Sequence, residues 1–169
     1  MAEFRHISPE ELSENTFKLI GKDWMLVTAE KDGRANTMTA SWGGFGVMWG
    51  KNVVFTVIRP QRFTKEFVDG GETFSLSFYD GEYRDKLSYL GKVSGRDEDK
   101  ITKSGLTLVH QEGTPYFAEA KLALICKKMF AQPYQPESFL DPAIAEKWYA
   151  EKDYHTLYIA EILDVLESN

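Results

Sequence analysis

Three short segments and one histidine carry the residue types in this sequence that could do chemistry. Asn36-Thr37-Met38-Thr39-Ala40-Ser41-Trp42-Gly43-Gly44 runs small hydroxyl residues off the end of an expected strand into a glycine turn. Such a stretch exposes backbone N–H groups and hydroxyls, where a phosphate or a flat heterocycle can sit. The same residues also make an ordinary flexible corner. Arg59-Pro60-Gln61-Arg62-Phe63-Thr64 sets two guanidinium groups beside an expected helix start. Free N–H groups and a partial positive charge there suit an anion, and arginine adds bidentate recognition of phosphate oxygens; the competing reading is a pair of solvated surface arginines. Lys92-Val93-Ser94-Gly95-Arg96-Asp97, followed by Asp99-Lys100, again joins a glycine turn to a helix start and a cation, or is a capped helix with a surface ion pair. His155 follows Asp153-Tyr154 before the last expected strand, where it can contact a ligand, move a proton or pack.

Other chemistries lack their residues. His6, His110 and Cys126 show no metal-ligand spacing, so no metal site is expected. The chain has no G-x-S-x-G and no phosphate-binding P-loop, and Gly43-Gly44-Phe45-Gly46 does not continue into a helix as a dinucleotide fingerprint does. Cys126 reads as a small strand hydrophobe.

The elements that must position these segments are mostly strands. Ser8-Pro9-Glu10-Glu11 has the residues of a capping box and opens a short helix expected to end before Gly21. Residues 23–30 and 35–40 flank Lys31-Asp32-Gly33-Arg34, a hairpin signal. Residues 52–58 read as a buried strand, Pro60 as the opening of a helix closed by Gly70-Gly71, and residues 73–79 as a strand with Phe74, Leu76 and Phe78 on one face. Helices are expected over 82–90 and 97–104, strands over 106–110, 119–130 and 154–166, and a proline-punctuated insertion before the last of these. About six or seven strands without regularly alternating helices exclude a doubly wound sheet and favour an antiparallel barrel, whose closure removes exposed edges.

The 169 residues suffice for one domain, taken as 1–169. The net charge of −6 argues against nucleic-acid binding, which needs clustered cations. One cysteine forbids an internal disulfide, and no apolar run has transmembrane length; with no leader-like start, a cytoplasmic protein without membrane contact is expected.

Taken in order, Asn36 to Trp42, Arg59 to Thr64 and Ser94 to Asp97 with Asp99-Lys100 resemble the flavin reductase-like family, which includes the flavoredoxins. The resemblance runs from about Lys22 to Leu166. It implies a mainly β, six-stranded antiparallel split barrel with Greek-key connections, forming a homodimer and binding FMN without a covalent bond. Asn36, Thr37, Met38 and Thr39 would line the isoalloxazine, with Ser41 and Trp42 completing that wall. Arg59 and Thr64 would hold the phosphate, with Gln61 and Arg62 close by and Ser94 and Arg96 adjoining. His155 would contact a nicotinamide or a proton donor. NADH-dependent members often carry Gly-Asp-His before the last strand; Asp153-Tyr154-His155 keeps only the histidine, and the insertion over 133–149 stands to cover the flavin. The resemblance implies an oxidoreductase passing electrons from NADH or NADPH through FMN. The alternatives are a flavoredoxin-like carrier served by a redox protein, and a non-enzymatic binder of haem or another planar ligand.

Overall fold

The computed structural model describes residues 3–169. Its main sheet contains β1 (Phe4–Ile7), β2 (Met25–Lys31), β3 (Arg34–Ala40), β4 (Gly43–Met48), β5 (Lys51–Ile58), β6 (Thr73–Phe78), β9 (Leu122–Pro133) and β10 (Thr156–Ser168). Strands β7 (Leu108–Gln111) and β8 (Thr114–Phe117) form a separate two-stranded hairpin. The helices are short: α1 (Thr16–Lys18), α2 (Thr64–Gly70), α3 (Arg84–Lys92), α4 (Lys100–Ser104) and α5 (Pro142–Trp148). Among the described residues no helix is long and apolar enough to cross a membrane.

The sheet is antiparallel in the order β3-β2-β6-β9-β10-β5-β4, with β1 added on β10. Its two ends, β3 and β4, are consecutive in sequence and joined only by Ser41-Trp42, so the sheet curls until its ends meet. Phe45 of β4 consequently packs edge-on against Phe78 of β6, ring centroids 6.1 Å apart. The lumen is filled from the inward faces of the strands, including Val27, Met38, Val54, Phe74, Leu76, Leu124 and Tyr158. Outside, α3, α4 and the β7–β8 hairpin bury Leu26, Ala123 and Ile125 under Leu87, Leu90, Leu106 and Phe117. This is a split barrel, as expected, but the main sheet has eight strands rather than six.

Three of the hairpins share one local device. At the β2–β3 turn Asp32 and Gly33 have φ 52° and 75°, the left-handed pair that a two-residue hairpin loop requires. Trp49-Gly50 (54°, 71°) joins β4 to β5 and Glu112-Gly113 (47°, 81°) joins β7 to β8 in the same way. The glycines at 43 and 44, expected as a turn, instead begin β4 and pair with Thr56 and Phe55. The N-terminal helix is also corrected. It breaks into a 3-10 turn at Pro9–Glu11, where the Glu11 carboxylate accepts from the Ser8 N–H at 2.6 Å, then α1 and a wide turn over Leu19–Asp23 that contains Gly21. Likewise α2 begins at Thr64 rather than Pro60, because Arg59 to Arg62 first make a tight turn closed by the Arg62 N–H on the Arg59 carbonyl.

Candidate functional site

The seam between β3 and β4 opens into a cavity of about 570 Å³. One wall is the end of β3 running into the link: Met38, Thr39, Ala40, Ser41 and Trp42. Helix α3 supplies the opposite wall through Leu87, Ser88, Gly91 and Lys92. The two walls are tightly tied. Thr39 Oγ1 donates to the Leu87 carbonyl at 2.5 Å, and a Cβ on Gly91 would lie 3.0 Å from the Thr39 Cβ. Trp24 closes one side in a left-handed conformation (φ 69°), with the Arg84 guanidinium 3.1 Å above its ring. Backbone strain of this kind persists only where the surroundings enforce it.

At one end the cavity adjoins a smaller one of about 70 Å³, lined by Asn36, Gln61, Thr64, Ser94 and Lys100 among others. Arg62 and Lys92 line both. Arg62 donates to the Gly91 carbonyl at 3.0 Å, and burial pulls its pKa below the usual arginine range. Lys100 is buried and donates to the Leu90 and Val93 carbonyls at 2.8 and 2.9 Å. Burial first, and then repulsion from Arg62, push it down to about 8. Among the described residues no carboxylate pairs with Arg62 or Lys100, although the ion pairs elsewhere in the chain are numerous. Buried charges are normally paired, so this end of the site has a deficit of negative charge. Asn36 Nδ2 donates to Thr64 Oγ1 at 2.8 Å, and Gly95 lies so close to the Asn36 amide that a Cβ would overlap Oδ1.

The opposite rim is built by the insertion. Asp153 accepts from Arg59 Nη1 and from Gln61 Nε2, each at 2.8 Å. Arg59 also donates to the Trp148 carbonyl at 2.9 Å and sits 5.0 Å above the Tyr149 ring. These bonds fold α5 over the cavity, so that Trp148 meets Trp42 edge-on at 5.0 Å and helps line the space. His155 is buried against Trp42, ring centroids 5.1 Å apart. Burial, and then the Arg59 charge, push its pKa down to about 4, so it is neutral at physiological pH. Tyr154 turns away into the insertion, 5.1 Å from Tyr149 and 6.0 Å from Phe139.

Of the residues selected from sequence, Met38, Thr39, Ser41, Trp42, Arg59, Arg62 and His155 meet at the larger cavity. Asn36, Gln61, Arg62, Thr64 and Ser94 meet at the smaller. Thr37 lines neither; its Oγ1 donates to the Val27 carbonyl at 3.1 Å inside the β2–β3 pair. Arg96 also lies outside both, donating to the Gln61 carbonyl at 3.1 Å and resting 4.6 Å from the Phe63 ring. Sequence reasoning overlooked Trp24 and, on α3, Leu87, Ser88 and Gly91, although it had set Lys92 in the third segment. The α3 residues had a visible signal, since Leu87, Ser88, Gly91 and Lys92 recur at helical spacing on one face.

A family model described as a flavin reductase like domain matches residues 17–169. The chain belongs to the flavin reductase-like family, whose domain binds flavin. Solved structures share its fold. An FMN-binding domain of a flavin reductase-like enzyme from Shewanella baltica superposes with a TM-score of 0.72 at 19% identity, over 99% of this chain and 78% of that one. Flavoredoxin of Desulfovibrio vulgaris gives 0.66 at 24% identity, over 86% and 69%. A Streptomyces globisporus NADH:FAD oxidoreductase, in complex with NAD and FAD fragments, gives 0.64 at 16% identity, over 86% and 74%. No curated relative matches the sequence itself.

Proposed function

We propose that this protein binds FMN and passes electrons through it from a reduced nicotinamide nucleotide to an acceptor. The observation that carries this reading is the uncompensated Arg62–Lys100 cation pair at the end of a cavity walled by Met38 to Trp42. A planar ring fits between the β3 end and α3, and a phosphate fits the charge deficit. Arg62, Lys92 and Lys100 supply charge there, and Asn36, Thr64 and Ser94 supply polar groups. Arg59, already held by Asp153, contributes from the rim. When bound, the isoalloxazine supplies the two-electron chemistry. The chain orients the ring, excludes water with Trp148 and holds a neutral imidazole at His155. The test is titration of purified protein with FMN: fluorescence quenching with a saturating stoichiometry supports the reading, and unquenched FMN sinks it.

One observation favours a flavoredoxin-like carrier instead. Arg59, at the His155 rim, is neutralised by Asp153, which leaves the pyrophosphate of a dinucleotide one cation fewer on that side, with Lys147 over the Trp148 ring remaining. Stopped-flow mixing of flavin-loaded protein with NADH and NADPH separates the readings. Bleaching of the flavin absorbance supports the reductase, and its absence with both nucleotides supports a protein donor.

The charge deficit also sets a pH dependence. A bound phosphate, dianionic above about pH 6, stabilises protonated Lys100. Below its pKa of about 8 in the free protein the lysine is already charged and contributes no slope. Above 8 a proton must be taken up on binding, so FMN affinity falls by up to about tenfold per pH unit. Fluorescence titrations from pH 7 to 10 check this, and Lys100→Met removes the slope.

A homodimer is proposed on the outer face of β5, β10 and β9, where Phe55, Ile159 and Phe130 form a cross-strand row, with Phe55 and Phe130 exposed. Trp49 extends it, 6.1 Å from Phe130. Exposed apolar patches of this kind mark interfaces. Phe55→Glu weakens association by roughly 30-fold or more, as for loss of an interface hot spot. Sedimentation velocity across a concentration series reads the change.

A further inference from the structure

His155 meets the cavity under a constraint imposed by the insertion. The Tyr149 phenol oxygen lies 2.6 Å from His155 Nδ1. Tyr149 is itself fixed, by its N–H on the Ala145 carbonyl, by Arg59 over its ring and by Tyr134, Phe139 and Tyr154 around it. We propose that Tyr149 is a positioning residue that locks the His155 imidazole in one tautomer, with Nε2–H as a hydrogen-bond donor to a carbonyl oxygen on a planar, uncharged ring in the cavity.

The direction of the Tyr149–His155 bond follows from counting acceptors. The buried phenol makes no other side-chain hydrogen bond among the described residues, so its hydrogen has one acceptor within reach, Nδ1. A neutral imidazole that accepts at Nδ1 carries its proton on Nε2. Both groups are neutral near pH 7, because burial raises the phenol and lowers the imidazole. The charged and titratable groups facing the pair are Arg59 from the end of β5, Asp153 before β10 and Tyr134 after β9; the first two neutralise each other. Among the described residues His155 Nε2 has no hydrogen-bond partner, and the ring lines the cavity beside Trp42 and Trp148. At this end of the cavity, between Trp42 and Trp148, Arg59 is held by Asp153 and the imidazole presents Nε2–H, which suits a flat, neutral ring bearing an acceptor. The carboxamide of a nicotinamide and the carbonyl of a quinone both present that chemistry.

The ligand half of this proposal rests on the flavin reading; the tautomer half does not. Nitrogen-15 NMR of the ligand-free protein at pH 7 reads the His155 ring directly. The expected spectrum shows Nδ1 unprotonated and Nε2 protonated. Tyr149→Phe, which keeps the ring packing and removes only the hydroxyl, shifts the tautomer ratio toward Nδ1–H by about two- to tenfold. Tyr134→Phe, in the same aromatic cluster, leaves the ratio unchanged. A wild-type ring protonated on Nδ1, or a ratio indifferent to Tyr149→Phe in a variant with unchanged melting temperature, overturns the proposal. With flavin-loaded protein, KM for NADH or for a benzoquinone acceptor rises about two- to tenfold in Tyr149→Phe while FMN affinity holds. A rise for NADH alone identifies the nicotinamide as the ring, and a rise for the quinone alone identifies the acceptor. No rise for either overturns the ligand half even if the tautomer has shifted.

Discussion

Gly43→Ala is expected to cost the protein several kcal/mol and its ligand site together. Gly43 opens β4 with φ 147°, a region that residues with a Cβ scarcely enter. That conformation alone costs about 1–3 kcal/mol for a side-chain-bearing residue. The steric term adds to it. A Cβ at this position would overlap the backbone carbonyl oxygen of Phe55, which belongs to the paired strand and cannot rotate away. The strand must therefore shift, and it carries Trp42 with it. Chemical denaturation should show a large fall in midpoint, and FMN and riboflavin binding should fall in parallel because the moved wall faces the ring. Gly46, where a Cβ meets nothing within 4 Å, is the control, and Gly46→Ala should stay near wild type. A Gly43→Ala protein of unchanged stability would mean that the seam is built differently.

The second large effect separates the two ligands. Arg62→Ala removes one of the cations at the charge deficit together with its bond to the Gly91 carbonyl, while the Thr39–Leu87 bond still ties the two ring walls. A hydrogen bond to a charged group is worth about 1.5–3 kcal/mol, or roughly 10- to 150-fold in affinity. FMN should weaken by that factor and riboflavin, which has no phosphate, should not. Arg59→Ala should behave differently. It releases Asp153 and the Trp148 carbonyl, loosening the cover over the ring, and so weakens both ligands alike. Paired titrations of both variants with both ligands decide the matter: equal losses in Arg62→Ala would remove the phosphate from this end of the cavity.

Much of the barrel was legible because local chemistry and tertiary structure agree. The Asp32-Gly33 hairpin follows from two residues that tolerate left-handed backbone, and β6 from the alternation of Phe74, Leu76 and Phe78. Strands β4 and β8 were missed for a definite reason. Their turns use Trp49 and Glu112 in the left-handed position, and neither type advertises that conformation. Gly43 and Gly44 looked like a flexible corner, whereas their small size serves close approach to Phe55.

The site divides along the same line. The hydroxyl-rich strand end and the Arg59–Thr64 segment were recognisable by composition. The electrostatics were not, because they depend on which cations find carboxylates in space. Arg59 finds Asp153, 94 positions away, while Arg62 and Lys100 find only carbonyls. Tyr149 was visible merely as part of a proline-rich insertion. Its bond to His155 needs the insertion to fold back on the last strand, which no short motif encodes.

Strands β3 and β4 each pair on one side only, and the seam between them has no ladder of hydrogen bonds. Widening it therefore breaks no strand pairing, while widening the barrel anywhere else breaks several. The wall can give along the cavity and stay stiff elsewhere, so the fold's softest line runs beside the proposed ligand site.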